Sequence, residues 1–277
     1  FTGTLPYNGG YIATQLSDVR GLVLYDQGND GYPDIFVAEE WNDRVVHYTN
    51  DGTGNYSWLN YVSDYATDLP GVEALRLLDL NGDGYEEIVA AVSDDNSIRL
   101  LSGSGSGIPL VTGVMGASGM AVADFNGDGL TDLVTAAADA GEVAVYAGDG
   151  NYGYTLLQTL TEVSGTVLDV AVADLDGDGL GDIVEAFYGA EVIGWKRNLG
   201  GDEFGPVQVI DDATPGVQRF LPRDVDNDGD LDVVTSFYQD RMVWYRNNGS
   251  GVFTAPLIIT NTFGPGDEFD MGDFDGD

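Results

Sequence analysis

The sequence predicts an all-β chain built from one repeated unit, and three observations carry that prediction. The pattern Asp-x-Asp/Asn-x-Asp-Gly-x-x-Asp/Glu starts at Asp79, Asp124, Asp174 and Asp224, with a degenerate copy at Asp26 and a cut-off copy at Asp273. A step of about fifty residues means one supersecondary unit copied along the chain. Each unit also holds four short strand-like stretches parted by polar turns, the layout of a propeller blade. No comparable stretch sustains a helical period. The expected fold is therefore a β-propeller of four-stranded blades, six or seven in number, with a metal loop between strands one and two of each.

The fourth unit shows the elements in order. Leu168 to Ala173 is strand one, rich in small residues that suit a crowded inner position. The Asp-rich loop follows, and Asp182 to Phe187 is strand two. Tyr188-Gly189-Ala190 turns the chain into strand three, Glu191 to Arg197. Asn198-Leu199-Gly200-Gly201 turns it again, and Pro206 to Ile210 is strand four.

The loop has the chemistry of a calcium site. Calcium is a hard cation that takes about six to eight oxygen ligands in a flexible shell. Side chains at alternate positions of a tight loop converge on one centre, so Asp174, Asp176, Asp178 and Asp182 form the ligand set of loop four, with the Leu180 carbonyl filling a gap. Gly179 stands where the chain turns sharply, and glycine accepts positive φ. An EF-hand begins in the same way but needs a Glu at position twelve and flanking helices. Here the last carboxylate falls at position nine and the flanks are strands. One Asp-Gly turn alone would read as a hairpin turn; five in register do not.

The copies differ in quality. Loop five repeats the full acidic set with Asp224, Asp226, Asp228 and Asp232. Loop three has Asp124, Asn126, Asp128 and Asp132, and loop two has Asp79, Asn81, Asp83 and Glu87. Loop one keeps Asp26, Asp30 and Asp34 but has Gly28 in the second slot, which makes it the weakest. A sixth loop opens with Asp273, Asp275 and Asp277 as the chain stops. The expected cofactor is calcium, about one ion per complete blade.

Two segments carry a resemblance. Asp224-Val-Asp-Asn-Asp-Gly-Asp-Leu-Asp232 followed by Val243-Trp244-Tyr245-Arg246-Asn247-Asn248-Gly249 resembles the FG-GAP/VCBS repeat family, β-propellers related to the head of integrin α chains. Asp26 to Trp58 matches again through Val46-His47-Tyr48-Thr49-Asn50-Asp51-Gly52. The resemblance covers essentially the whole chain and implies the propeller and its calcium. It leaves function open, since such propellers serve adhesion, lectin, scaffold and enzyme roles. It also implies that ligands sit on the face opposite the calcium loops.

The ends extend the pattern. Phe1 to Tyr7 reads as a strand three and Gly10 to Leu16 as a strand four, while the last residues open a strand one and its loop. The expectation is one propeller domain over residues 1–277, with five whole blades, partial blades at both ends and an incomplete C-terminus. Seven is the commoner number in the family, and six is what the visible motifs count.

Composition limits the partners. The chain has 277 residues, 47 acids against 10 bases and a formal net charge of -37. Six divalent ions would leave it strongly acidic, which disfavours nucleic acid and anionic membranes. No apolar run reaches the length of a membrane span. There is no cysteine, so calcium rather than disulfides would staple the fold outside the cell. The triplets at Asn55 and Asn248 are glycosylation sequons.

Alternating strand direction sorts the turns onto two faces. The loops share one face with the three-to-four turns, and the two-to-three turns share the other with the four-to-one connections. On that second face Trp41, Tyr188, Arg219, Tyr238 and Arg241 are the candidate ligand contacts, because aromatics beside polar groups stack on sugars or anchor proteins. Phe187, Tyr188, Phe237 and Tyr238 also fit packing between blades. His47, the only histidine, aligns with Trp195 and Trp244 and fits packing better than catalysis. The leading reading is an extracellular or cell-surface binding, adhesion or assembly module, with a glycan, an extracellular protein or neighbouring copies as partner. A lectin is the first alternative. A polysaccharide lyase or related enzyme is the second, although no nucleophile motif is present.

Overall fold

In the computed structural model the described residues are 6–7, 10–11, 16, 18–50, 52, 64–103, 105–160, 163–237 and 241–262. β1 (Pro6–Tyr7) and β2 (Gly10–Tyr11) pair as a two-stranded sheet. Five four-stranded sheets follow, each with its strands in sequence order. Blade one is β3 (Val19–Tyr25), β4 (Asp34–Glu39), β5 (Arg44–Tyr48) and β6 (Asp64–Ala66). Blade two is β7 (Val72–Leu78), β8 (Glu87–Val92), β9 (Ser97–Leu100) and β10 (Ile108–Thr112). Blade three is β11 (Ala117–Ala123), β12 (Asp132–Ala137), β13 (Glu142–Gly148) and β14 (Tyr154–Leu160). Blade four is β15 (Thr166–Ala173), β16 (Asp182–Tyr188), β17 (Val192–Gly200) and β18 (Glu203–Asp211). Blade five is β19 (Val217–Arg223), β20 (Asp232–Phe237), β21 (Arg241–Tyr245) and β22 (Leu257–Thr260).

The fold is thus the expected β-propeller arrangement of antiparallel blades, but the blade count is five among the described residues, not six or seven. Among the described residues, the motif copies from Asp26 to Asp224 are each followed by three further strands. The copy at Asp273, with Asp275 and Asp277, lies outside the described residues. Among the described residues no helix is long and apolar enough to cross a membrane.

The chain falls into two compact units, Phe1–Met120 with Gly148–Tyr154, and Ala121–Ala147 with Thr155–Asp277. In the first, β4 is buried along its whole length. Phe36 and Ala38 pack with Leu75, Ile88 and Ala90, whereas Ile35 and Val37 pack with Val46 and Tyr48. In the second, β16 sends Val184 and Ala186 to Trp195 and Val243, and Ile183 and Phe187 to Phe125 and Val134. A second strand flanked on both faces reads as a continuous apolar run, not an alternation. Each fully buried Val, Leu, Ile or Phe among them contributes about 1.5–3 kcal/mol by burial. Glu185, on the face of β16 that carries Ile183 and Phe187, is fully buried with Lys196, 3.4 Å away.

Two backbone features go beyond the sequence reading. The first strand of blades one, two, four and five shifts register near its start, at Val19/Gly21, Val72/Ala74, Val167/Asp169 and Val217/Arg219. β17 also runs on through Asn198 to Gly200, where a turn was expected. Two register shifts let it do so, at Lys196/Asn198 and Asn198/Gly200, and the side chain of Asn198 holds that irregular stretch in place.

Candidate functional site

The first aspartate of each loop folds the turn. In loop two, Gly82 and Asp83 donate their N–H groups to Asp79 Oδ1 at 2.8 and 3.2 Å, and Gly84 donates to Oδ2 at 2.9 Å. Asp124 accepts the same three bonds in loop three, and Asp174 in loop four. Asp224 accepts from Asp228 and Gly229, and Asp26 from Asp30 and Gly31. The glycine at position six has φ of 88, 85, 87 and 95° in loops two to five, a region closed to most side chains. The third acid then accepts the N–H two residues on: Asp83 from Tyr85, Asp128 from Leu130, Asp178 from Leu180, Asp228 from Asp230 and Asp30 from Tyr32.

The last acid is anchored in the sheet. Glu87, Asp132, Asp182 and Asp232 accept N–H bonds at 3.0–3.2 Å from Leu80, Phe125, Leu175 and Val225, the second residue of each loop. Asp182 and Asp232 also accept from the backbone of Asn198 and Asn247 at 2.8 and 2.7 Å. In loop one, Asp34 takes the Asn50 N–H at 2.7 Å and lies 2.8 Å from His47 Nε2. His47 also stacks on Phe36 with ring centroids 4.3 Å apart, in the register position that Trp195 and Trp244 hold in their blades. That is the packing role expected of it.

Charge converges most closely in loops four and five. One carboxylate oxygen each from Asp174, Asp176 and Asp178 lie within 4.8 Å of one another, and so do those of Asp224, Asp226 and Asp232. Burial pushes the Asp182 carboxyl up to about 6, and the charges of Asp176 and Asp178 add to the rise. Burial raises Asp232 too. Asp178 is lowered chiefly by the Leu180 N–H, and Asp228 chiefly by the Arg246 guanidinium. The donors are oxygen alone, a set that fits a hard divalent cation.

Several residues around the loops escaped the sequence reading. Arg197 Nε lies 2.6 Å from Asp176 and its Nη2 2.9 Å from Asp178. Arg246 repeats this at 2.7 Å from Asp226 and 2.8 Å from Asp228. Asn198 and Asn247 are buried, and their side-chain amides donate to Phe125 O and Leu175 O at 3.1 and 2.7 Å, in the loop of the preceding blade. A signal for all four exists: Trp195-Lys196-Arg197-Asn198 and Trp244-Tyr245-Arg246-Asn247 match at the repeat spacing. Tyr152 has no such signal. Its hydroxyl donates to Glu87 at 3.1 Å and accepts from the Asn81 amide at 3.0 Å.

Backbone bonds also tie the two-to-three turns to the four-to-one connections. Glu40 donates to Asp18 O, Leu69 to Asp43 O, Ser93 to Gly71 O, and Thr214 to Glu191 O. Trp41 sits here on a single 3-10 turn, Glu40–Asn42, and is 80 % exposed. Its sequence neighbours are held: Arg20 bonds Glu40 at 2.6 Å, and Arg44 bonds Glu39 at 2.7 Å. Tyr188 is exposed, whereas Phe187 and Phe237 are buried. Arg219 lies 3.5 Å from Asp169, and Arg241 lies 4.3 Å over the Phe237 ring. Tyr238 and Asn55 lie outside the described residues. Asn248 is exposed, and its Oδ1 accepts the N–H groups of Ser250 and Val252.

Known structures share this architecture. An Agrocybe aegerita lectin that recognises non-reducing terminal N-acetylglucosamine aligns with a TM-score of 0.57 and 18% identity, over 94% of this chain and 74% of its own. BBS1N, solved in complex with ARL6DN, aligns at 0.53 and 12% identity, over 88% and 67%. An auxiliary nutrient binding protein from Bacteroides thetaiotaomicron aligns at 0.55 and 11%, over 88% of this chain and 57% of that one. At such identities the likeness is one of fold. Comparison with curated protein sequences finds no match. Residues 79–135, 124–185 and 224–277, more than half of the chain, match the FG-GAP-like repeat, and each match starts on the first aspartate of a loop. On that match, and on the four-stranded blades that its copies form, the chain belongs to the FG-GAP-like repeat family of β-propellers.

Proposed function

We propose that the protein is a calcium-stabilised binding module that works outside the cell or at its surface and takes a glycan on the turn face around Trp41. Calcium, when bound, supplies the positive charge that the acidic loops lack. Asp174, Asp176, Asp178 and Asp182 would hold it in loop four, and Asp224, Asp226, Asp228 and Asp232 in loop five. Loops two and three would hold it with an asparagine, Asn81 or Asn126, in the second slot. The chain's own part is to set these donors in place before the ion arrives, through the N–H bonds to the first and last acids.

The observation that carries the binding role is the exposure of Trp41. An indole left 80 % exposed on a short turn forgoes about 1.5–3 kcal/mol of burial. Its sequence neighbours are paired, Glu40 with the half-exposed Arg20 and the buried Glu39 with Arg44. A flat apolar face beside polar donors and acceptors suits a sugar ring. The fold likeness to a lectin makes glycans the first ligand class to test, with N-acetylglucosamine-terminated ones among the probes.

The test is a printed glycan array probed in calcium with the whole chain and with Trp41→Ala. The expected result is binding that falls at least tenfold in the variant while the melting temperature stays within about 1–2 °C. No retained glycan, or equal retention by the variant, would overturn the reading. Binding lost only after changes on the loop face would place the ligand there instead.

A further inference from the structure

Asp176 and Asp226 carry one more negative charge than their counterparts Asn81 and Asn126 in loops two and three. The same two loops receive an arginine. Its guanidinium lies on the second and third acids in both, with Nε 2.6 and 2.7 Å from Asp176 and Asp226, and Nη2 2.9 and 2.8 Å from Asp178 and Asp228. The strand register shows where it comes from. Ile183 faces Lys196, Val233 faces Tyr245 and Leu133 faces Tyr146, so Arg197 and Arg246 correspond to Ala147 in blade three. Ile35 faces Tyr48, which puts Thr49 at that place in blade one, beside the loop whose second slot is Gly28. In blade two, Leu101 bonds Ile88, which puts Ser102 there. Among the five described loops, the arginine is present where the second slot is an aspartate and absent where it is not.

We propose that Arg197 and Arg246 are resident counter-cations of loops four and five: they hold these loops folded before metal binds and set the affinity of the metal that follows. This rests on the calcium reading given above. A guanidinium presents two parallel N–H groups, a fork that fits two neighbouring carboxylates where a lysine would meet one. Both arginines are about half exposed, at 45 and 46 %. Each can therefore swing aside, or stay on one carboxylate oxygen while the other oxygen turns to a metal. In either case the fixed positive charge opposes a second cation. Loops two and three reach the same charge by using asparagine and need no such partner. In loop two the neutral Tyr152 hydroxyl holds Asn81 and Glu87.

The experiment uses the whole chain and two readouts, calorimetric titration with calcium and melting in chelator against melting in saturating calcium. Arg197→Met with Arg246→Met keeps an unbranched stem and removes the charged guanidinium. Two sites should tighten by about tenfold, as expected for removing a unit charge beside a double one across a wet loop. The melting temperature should fall in chelator and recover in calcium. Adding Asp176→Asn and Asp226→Asn should return both quantities toward wild type. Unchanged or weaker calcium affinity in the arginine variant would overturn the inference, as would an equal loss of melting temperature with and without calcium. If the wild-type chain takes up no calcium, the calcium reading fails and the inference fails with it. The wild-type titration therefore separates the two.

Discussion

Asn247→Ala is predicted to loosen blade five from blade four without touching any metal ligand. The buried Asn247 amide donates to Leu175 O at 2.7 Å and to Leu231 O at 3.0 Å, and its Oδ1 accepts the Asn248 N–H at 2.8 Å. Alanine keeps the backbone bond to Asp232 but removes all three side-chain bonds. A net contribution of about 0.5–1.5 kcal/mol per bond, with a larger cost where a partner is left buried and unpaired, gives a loss of about 2–4 kcal/mol. For a chain of this size that is a fall of about 3–7 °C in melting temperature. The assay is thermal and urea unfolding in chelator and again in calcium, with Asn248→Ala, on the exposed side of the same turn, as the control. The loss should appear in both conditions, because the bonds belong to the chain and not to an ion. A shift no larger than the control's would refute the idea that this side chain staples the blades.

Two predictions concern the loops. Excess chelator should lower the melting temperature strongly, since each site held at one hundredfold above its dissociation constant adds about 2.7 kcal/mol; an unchanged melting curve would sink the calcium reading. Asp176→Ala should cost more of that calcium-dependent gain than Gly28→Ala, because Gly28 offers no side-chain donor. For pH, the Asp182 carboxyl is held up to about 6 in the metal-free fold, above its ordinary 3.8. The fold then holds this proton more tightly than the unfolded chain does, so the group's stabilising effect is complete below about pH 4 and is lost as pH rises through about 6. Unfolding in chelator from pH 4 to 7 should show that decline, and Asp182→Asn should flatten it. An identical slope in the variant would remove Asp182 as the cause. Calcium uptake needs the carboxylate, so affinity at loop four should weaken below about pH 6.

The loops, the strand order and the two families of turns were legible because each rests on chemistry repeated at fixed spacing. Asp174, Gly179 and Asp182 announce a turn in any one copy, and four further copies remove the ambiguity. What stayed hidden depends on contacts between segments far apart in sequence. Asn198 looked like a turn residue because Asn-Leu-Gly-Gly has turn composition. It lies in β17 because its amide reaches Phe125 in the preceding blade. Arg197 looked like the polar end of a strand, and only register brings it onto Asp176. The shifted starts of the first strands all fall just after a valine, at Val19, Val72, Val167 and Val217, but the residue two further on is Gly, Ala, Asp or Arg, so no shared residue type announces the shift. Phe187 and Tyr188 were indistinguishable as neighbouring aromatics, yet strand alternation buries one and exposes the other. The expected six or seven came from the motif count and from the family's commoner number, whereas the described residues form five four-stranded blades.

The reach of one hairpin over the loop before it gives the chain a direction in time. Tyr152 bonds Asn81 and Glu87, Asn198 bonds the loop that starts at Asp124, and Asn247 bonds the loop that starts at Asp174. In each case the later segment completes the earlier one, about seventy residues downstream. A chain made from its N-terminus at about 5–20 residues per second would leave each loop uncovered for several seconds after it emerges. During that interval the Phe125 and Leu175 carbonyls lack the asparagine amides that later meet them. The same order also makes the most recently made loop the least protected one, so a protease acting on unfinished chains should cut near the growing end and spare the blades behind it.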